Sequence, residues 1–312
     1  MKKVIVTGVS GFVGKSFTKR LLEEGITVYA VVRNGDKISD LKQYNNLIPV
    51  IANMEEYKDL HKRISRKDID VFYHFAWGGV YDEAKKDYNL QLDNVRYSCD
   101  ALKSAIEINC KKFVFAGSVN EYETKANMDK VGLKQRYTNI YGGSKLLAEI
   151  ICKTIANNEG IEYSAGLSTL AYGEGNKSKM LLNIIIKKLL NNESPSLISG
   201  ENKYDVIYID DLVNAFIAIG EKGLNQKSYY VGHRKLKTFK EIMTNIRDII
   251  NPNIDLKFGE RNDSIDFDYS TIDLDALYLN TGFECKTDFE ESIQATADWI
   301  RTININIQSE EV

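Results

Sequence analysis

The stretch Lys3-Val4-Ile5-Val6-Thr7-Gly8-Val9-Ser10-Gly11-Phe12-Val13-Gly14 decides the fold. Its first residues are a short apolar run of strand-forming type. Three spaced glycines follow at once, and then Phe17, Leu21 and Leu22 recur at helical spacing up to Gly25. Strand, tight turn and helix form the setting in which spaced glycines hold a dinucleotide. Gly8 is expected at the sharp turn, Gly11 where backbone approaches a pyrophosphate, and Gly14 where the helix packs closely on its strand. Ser10, Phe12 and Val13 open the helix, whose first N–H groups are free to bind phosphate.

Composition sets the bounds. The chain has 312 residues, 41 Lys+Arg against 44 Asp+Glu, and a net charge of −3. Such a balance does not suggest nucleic acid as a partner. No apolar run approaches the ~20 residues of a membrane span, and the N-terminus lacks a secretory pattern. Cys99, Cys110, Cys152 and Cys285 form no CxxC pair, which suits reduced thiols and a cytoplasmic location. His61, His74 and His233 are scattered, so no metal site is expected.

Strand and helix patterns alternate through the first two thirds. Apolar runs at 27–32, 47–51, 70–76 and 112–116 read as strands, with Pro49 marking an edge or an early position. Such runs suit parallel strands covered on both faces. Long helical patterns cover 87–108 and 141–157. The polar segment 123–138 has little periodicity and reads as a loop over a site. These features predict an α/β fold: a Rossmann-type doubly wound parallel sheet with a smaller mixed α/β C-terminal substrate domain. The expected division is a dinucleotide-binding domain at 1–165, to which 204–221 returns. A substrate domain at 166–203 and 222–303 and a tail at 304–312 complete it.

Arg33 stands where the second strand ends, the position that meets the adenosine ribose. An acidic residue there favours NAD; an arginine suits the 2′-phosphate of NADP. NADP(H) is therefore expected over NAD, unless Arg33 is an ordinary surface charge. Asn53 and Met54 are placed to touch adenine, and Phe75 and Ala76 to lie against ribose and phosphate.

Tyr141 and Lys145 are four residues apart at the start of a helix, on one face. A nearby ammonium favours phenolate over phenol, and such a tyrosine passes protons near neutral pH. Ser118, at the end of a central strand, can hold the same substrate oxygen.

With these residues in place, the chain resembles the extended short-chain dehydrogenases/reductases that act on nucleotide sugars. The likeness rests on Gly8, Gly11, Gly14, Ser118, Tyr141 and Lys145. It implies Tyr141 as acid/base, Lys145 on the nicotinamide ribose and Ser118 as hydroxyl partner, with Asn94 supporting the site. Tyr172-Gly173 resembles the family's loop over the sugar. Residues 204–211 resemble its late strand leading to an acidic pair. Two departures stand out: Tyr204 replaces a frequent arginine, and Glu174 a frequent proline. The first leaves the diphosphate contact to Lys177, Lys179 or Arg234.

Similarity of the loops at 75–79 and 117–122 to the 4-ketoreductase subgroup leads to a specific expectation. It is NADPH-dependent reduction of a CDP-, GDP- or dTDP-linked 4-keto-6-deoxy sugar at C4. The alternative is a nucleotide-sugar 4-epimerase, and a reductase of non-sugar carbonyls is a further rival. Trp77, Tyr81, Ser118, Asn120, Tyr172 and Lys179 are the expected substrate contacts, with loop packing an equal reading for Trp77. Relatives often pair the two long helices across a homodimer, which is expected here.

Overall fold

The apolar runs become the strands of a parallel sheet. The computed structural model describes residues 1–65, 68–128, 136–261 and 268–310. In chain order the first elements are β1 (Lys3–Thr7), α1 (Phe12–Glu23), β2 (Thr27–Val32), β3 (Leu47–Ile51), α2 (Leu60–Arg63), β4 (Val71–His74), α3 (Tyr88–Glu107), β5 (Lys112–Ser118), α4 (Asn120–Met128), α5 (Thr138–Glu159) and β6 (Glu162–Ser168). There follow β7 (Leu170–Tyr172), α6 (Leu181–Leu190), β8 (Lys203–Tyr204), β9 (Val206–Tyr208), α7 (Ile209–Lys222), β10 (Lys227–Val231), β11 (Lys237–Thr238), α8 (Phe239–Ile250), α9 (Ala276–Thr281) and α10 (Phe289–Glu310).

The chain divides into two units. The first comprises Met1–Ser168, Leu212–Val231 and Asp273–Phe283; the second comprises Thr169–Asp211, Gly232–Ile272 and Glu284–Val312. The first unit holds a seven-stranded sheet of order β10-β6-β5-β4-β1-β2-β3, every pair parallel. The strand order reverses between β1 and β4, which puts a ligand crevice at their carboxyl ends. β3, with Pro49, lies at the edge, where a missing N–H costs no ladder bond. Register aligns Phe72, Phe113 and Tyr163 across three strands. Their rings stack at centroid distances of 5.2 and 6.2 Å.

One polar device anchors this unit. Lys112 is buried at the start of β5. Its ammonium donates to the carbonyls of Ile219, Gly220 and Gly223 at 3.3, 3.5 and 2.6 Å. These carbonyls end α7, where unpaired acceptors and the helix dipole favour a cation.

The segment expected to be a loop at 123–138 is corrected in part: residues 120–128 form α4, while 129–135 lie outside the described residues. This helix buries Glu121, Glu123, Thr124 and Asn127. Its inward face is polar, so no apolar period betrays it. It packs tightly on α5, where a Cβ at Gly142 would stand 2.3 Å from Thr124 Oγ1.

The second unit is built on α6, α8 and α10. Their apolar stripes, including Leu182, Ile186, Ile242, Ile246, Ile293 and Ala297, meet in one core. Two small sheets accompany them, β7 with β9 and β8 with β11. Among the described residues, no helix is long and apolar enough to cross a membrane.

Candidate active site

The glycine turn forms at the end of β1. Gly8 has φ +74°, a conformation that L side chains rarely adopt, and a Cβ there would stand 2.7 Å from Ala76 N. Gly11 N–H donates to Gly8 O at 3.0 Å. A Cβ at Gly14 would stand 2.2 Å from Gly8 O, so the helix can sit this close only without one. Gly11 is the N-cap of α1 and provides no side-chain cap, and the first turn carries no acidic residue. Unpaired N–H groups, a positive dipole end and a crowded glycine cradle fit the pyrophosphate of a dinucleotide. Ser10, Phe12 and Val13 lie on this turn.

The floor of the crevice is set by His74 at the end of β4. Its Nδ1 is 2.9 Å from Thr7 Oγ1 and its Nε2 is 3.1 Å from Ser98 Oγ. Ala76 N–H donates to Thr7 Oγ1 at 3.3 Å. Asn94 Oδ1 accepts Gly78 N–H at 2.8 Å, and its Nδ2 donates to Gly78 O at 2.8 Å. Phe75 turns its ring inward against Phe17 and Phe216, leaving backbone toward the crevice. Asn53 caps the 3-10 helix Met54–Asp59 in a reciprocal box with Glu56, and Met54 packs against the core.

Ser118, Tyr141 and Lys145 come together, all buried. The hydroxyls of Tyr141 and Ser118 are in hydrogen-bond contact. Lys145 Nζ donates to Ala116 O at 2.7 Å. It also lies 3.8 Å from the Trp77 ring centroid and 4.9 Å from that of Phe115. Burial pushes Lys145 down to about 7, opposed by the charge of Glu121. Burial raises the Tyr141 phenol well above its ordinary value, opposed by its hydrogen bond with Ser118. In the protein alone the phenol is therefore held protonated rather than lowered. The Lys145 ammonium is turned to a carbonyl and an indole face.

The other expected residues divide. Asn120 Oδ1 accepts the Ser118 hydroxyl at 3.1 Å, and its Nδ2 donates to Glu123 Oε2 at 3.0 Å. Trp77 Nε1–H donates to Gln91 Oε1 at 2.8 Å. Tyr81 is exposed and near enough to Tyr141 to act on its charge. Lys85 Nζ, which sequence reasoning missed, lies 4.9 Å from the Tyr141 ring centroid; a lone lysine in a polar loop gives no signal. In the second unit, Tyr172 is buried with its hydroxyl 2.7 Å from Ser292 Oγ, and Lys179 is exposed. That unit also holds a cavity of about 210 Å³ lined by Leu197, Tyr204, Phe239, Lys188 and Arg261. Arg261 was missed as well, because it stands in no motif. Among the described residues, no group of three or more His, Cys, Asp or Glu is placed to hold a metal ion.

A doubly wound sheet, a glycine cradle and a buried Ser–Tyr–Lys cluster define an NAD(P)-dependent oxidoreductase of the extended short-chain type. The profile of the NAD dependent epimerase/dehydratase family matches residues 4–232, and the chain belongs to that family, whose extended members act on nucleotide sugars. A dTDP-4-dehydro-6-deoxyglucose reductase of Escherichia coli is 28% identical over 257 residues, covering 78% of this chain and 80% of that protein. A UDP-glucose 4-epimerase of Thermotoga maritima, solved with UDP-glucose, superposes with a TM-score of 0.79 at 20% identity, covering 96% of this chain and 99% of that one. A UDP-glucuronic acid 4-epimerase of Bacillus cereus, solved with UDP-glucuronic acid and NAD, gives 0.76 at 19% identity and the same coverage.

These findings correct two expectations. The two solved relatives named above are nucleotide-sugar 4-epimerases, and each covers 96% of this chain against 78% for the reductase. Reduction of a 4-keto-6-deoxy sugar gives way to the alternative reading. The reason is chemical: one proton-transfer site serves oxidation and reduction at the same carbon, so the residues do not encode a direction. The cofactor in the Bacillus cereus enzyme is NAD, which displaces NADP. Arg33 is exposed at the end of β2, and a solvated guanidinium alone does not build a phosphate pocket.

Proposed function

We propose that the chain is an NAD-dependent nucleotide-sugar 4-epimerase. The observation that carries this reading over reduction is the likeness of 96% of the chain to solved 4-epimerases, one of them holding NAD, around a buried cluster of Ser118, Tyr141 and Lys145 that serves either direction. The Tyr141 oxygen takes the proton from the sugar 4-hydroxyl as C4 is oxidised and returns it when C4 is reduced from the opposite face. Ser118 hydrogen-bonds O4 in both directions. The Asn120 backbone N–H holds the Ser118 oxygen at 3.3 Å, and the hydroxyl proton turns from Asn120 Oδ1 to O4 when substrate binds. NAD, when bound, would supply the hydride acceptor and donor, and its positive charge would oppose the burial that holds the Tyr141 phenol protonated. Gly8, Ser10, Gly11, Phe12, Val13 and Gly14 would hold its pyrophosphate, and Lys145 its nicotinamide ribose.

The cavity of the second unit suits a nucleobase: Leu197, Tyr204 and Phe239 give it an apolar wall. Lys188 and Arg261 supply cations for a diphosphate, in place of the arginine that Tyr204 displaces. The substrate is thus a nucleoside diphosphate sugar. On the first unit, α3 and α5 expose Tyr88, Leu92, Leu147 and Ile150, which supports pairing of these helices across a homodimer.

The test is direct. Purified protein is denatured, released NAD is quantified, and the native enzyme is incubated with UDP-, dTDP-, CDP-, GDP- and ADP-hexoses without added cofactor. Carbon-4 epimers seen by NMR are expected. A requirement for stoichiometric NADH or NADPH overturns the reading.

A further inference from the structure

We propose that Glu121 and Glu149 share one proton as a buried carboxyl pair. In this arrangement the pair positions Ser118 and supplies the counter-charge to Lys145. The proposal rests on the reading of Ser118, Tyr141 and Lys145 as the catalytic groups.

The geometry is specific. Glu121 of α4 and Glu149 of α5 are 1% and 9% exposed. Glu121 Oε1 accepts the Ser118 backbone N–H at 2.8 Å. Glu149 Oε1 accepts the Ser228 hydroxyl at 2.6 Å and faces Lys153 Nζ at 3.5 Å. The remaining oxygen of each, Oε2, is buried and has no donor among the described residues. The two carboxyl groups nonetheless lie within hydrogen-bonding reach of each other. Two carboxylates cannot donate to one another, and two buried like charges repel. One proton between them satisfies both oxygens and leaves a single negative charge. Gly117 makes room for the pair, since a Cβ there would stand 2.5 Å from Glu121 Oε1.

Burial, and then the charge of Glu149, drive the Glu121 carboxyl far above the usual carboxylate range. The surrounding ionisable groups come from every packed element: Tyr141, Lys145, Lys153 and Cys152 on α5, Tyr122 on α4, and Tyr163 on β6. Of the cations, Lys145 is fully enclosed. The one negative charge of the pair acts on Lys153 from the Glu149 side and on Lys145 from the Glu121 side, favouring the Lys145 ammonium in a site whose burial disfavours it. Through Ser118 N–H the same pair fixes the strand end that carries the Ser118 hydroxyl. Glu121 and Glu149 are positioning residues, since neither is placed on the reacting atoms.

The test uses the NAD-loaded enzyme. Difference infrared spectroscopy with [13C]glutamate labelling reads protonated carboxyl groups. At pH 7 the wild type should show a buried protonated glutamate, and both Glu121→Gln and Glu149→Gln should abolish its band. Persistence of the band in either single variant means independent ionisation and overturns the proposal. Absence of the band in the wild type does so without any variant. In steady-state kinetics, the double variant Glu121→Gln/Glu149→Gln, which removes the single charge, should move the alkaline limb of kcat down by about one pH unit, with KM nearly unchanged. An unmoved limb with lower kcat at all pH values indicates a structural role only and overturns the counter-charge. Tyr141→Phe separates the two readings. If it stays active, the catalytic assignment fails, while the infrared result still judges the pair.

Discussion

The ammonium of Lys145 lies 3.8 Å from the centre of the Trp77 ring, so the indole face closes one side of the lysine's burial site. The indole is fixed from behind. Its N–H donates to Gln91 Oε1, and Gln91 Nε2 is spent on Gly79 O and Ala84 O at 2.9 and 3.0 Å. A desolvated cation over tryptophan gains about 2 kcal/mol, and one pKa unit is about 1.4 kcal/mol. Burial already holds Lys145 at about 7. Trp77→Leu removes the attraction for the charged form. The alkaline fall of kcat should move down by about one pH unit. Trp77→Phe, which keeps a ring face, should move it less. Equal pH profiles for wild type and the leucine variant would remove this role.

Tyr141→Phe deletes one oxygen from a buried cluster and leaves the glycine cradle untouched. Acid/base catalysis of this kind contributes about 10²- to 10⁴-fold. Turnover should fall by that factor while the NAD content of the purified protein stays at the wild-type level. Activity within a few-fold of wild type would show that another group moves the proton.

His74 should stay neutral wherever the protein is folded. The Ser98 hydroxyl already donates to Asn94 O at 2.8 Å, so it accepts from Nε2–H. Nδ1 then accepts from Thr7. Burial pushes this imidazole down to about 3, with Lys145 adding to the effect. An unfolded histidine titrates near ~6.5. A base with a depressed folded pKa binds fewer protons folded than unfolded between these values. Its contribution is therefore complete above pH ~6.5 and is lost progressively as pH falls toward 3. Nitrogen-detected NMR should find the His74 ring as the neutral Nε2–H form from pH 5 to 8. His233, held up by its bond to Asp205, gives the contrasting signal.

Lys112→Met keeps much of the side-chain volume and removes the donor to the end of α7. The Gly223 carbonyl loses its 2.6 Å partner. Bonds to charged groups contribute about 1.5–3 kcal/mol, and an acceptor left buried costs more. The urea midpoint should fall accordingly. An unchanged midpoint would mean that water replaces the ammonium.

Much of this was legible in the chain because the signals are local. The glycine turn follows its strand directly, Tyr141 and Lys145 are one helical turn apart, and Ser118 closes a buried strand. The parallel sheet follows from apolar runs of strand length. What escaped joins distant segments. Trp77 reaches Lys145 across two elements, and Glu121 meets Glu149 through a helix whose inner face is polar. Arg33 misled because cofactor choice is made by a whole pocket, and one exposed guanidinium is not a pocket. The reaction's direction was misread for a similar reason: the same three side chains handle a proton whether C4 is being oxidised or reduced.

Self-association should depend on the outer faces of α3 and α5. The two helices pack side by side, bringing Cys99 Sγ and Cys152 Sγ to 4.0 Å. On their other sides Leu92 is 52% and Ile150 53% exposed. Tyr88 and Leu92 are one turn apart, as are Leu147 and Ile150, so each helix presents an apolar stripe to solvent. A second copy would cover these stripes by adding its own pair and making a four-helix bundle. Ile150→Glu places a charge at the middle of that surface and cannot disturb the buried side of α5. Light scattering should give a dimer for the wild type and a monomer for this variant, with the fold intact by circular dichroism. A wild-type monomer at micromolar concentration would refute the pairing. A dimer unaffected by Ile150→Glu would move the interface elsewhere on the chain.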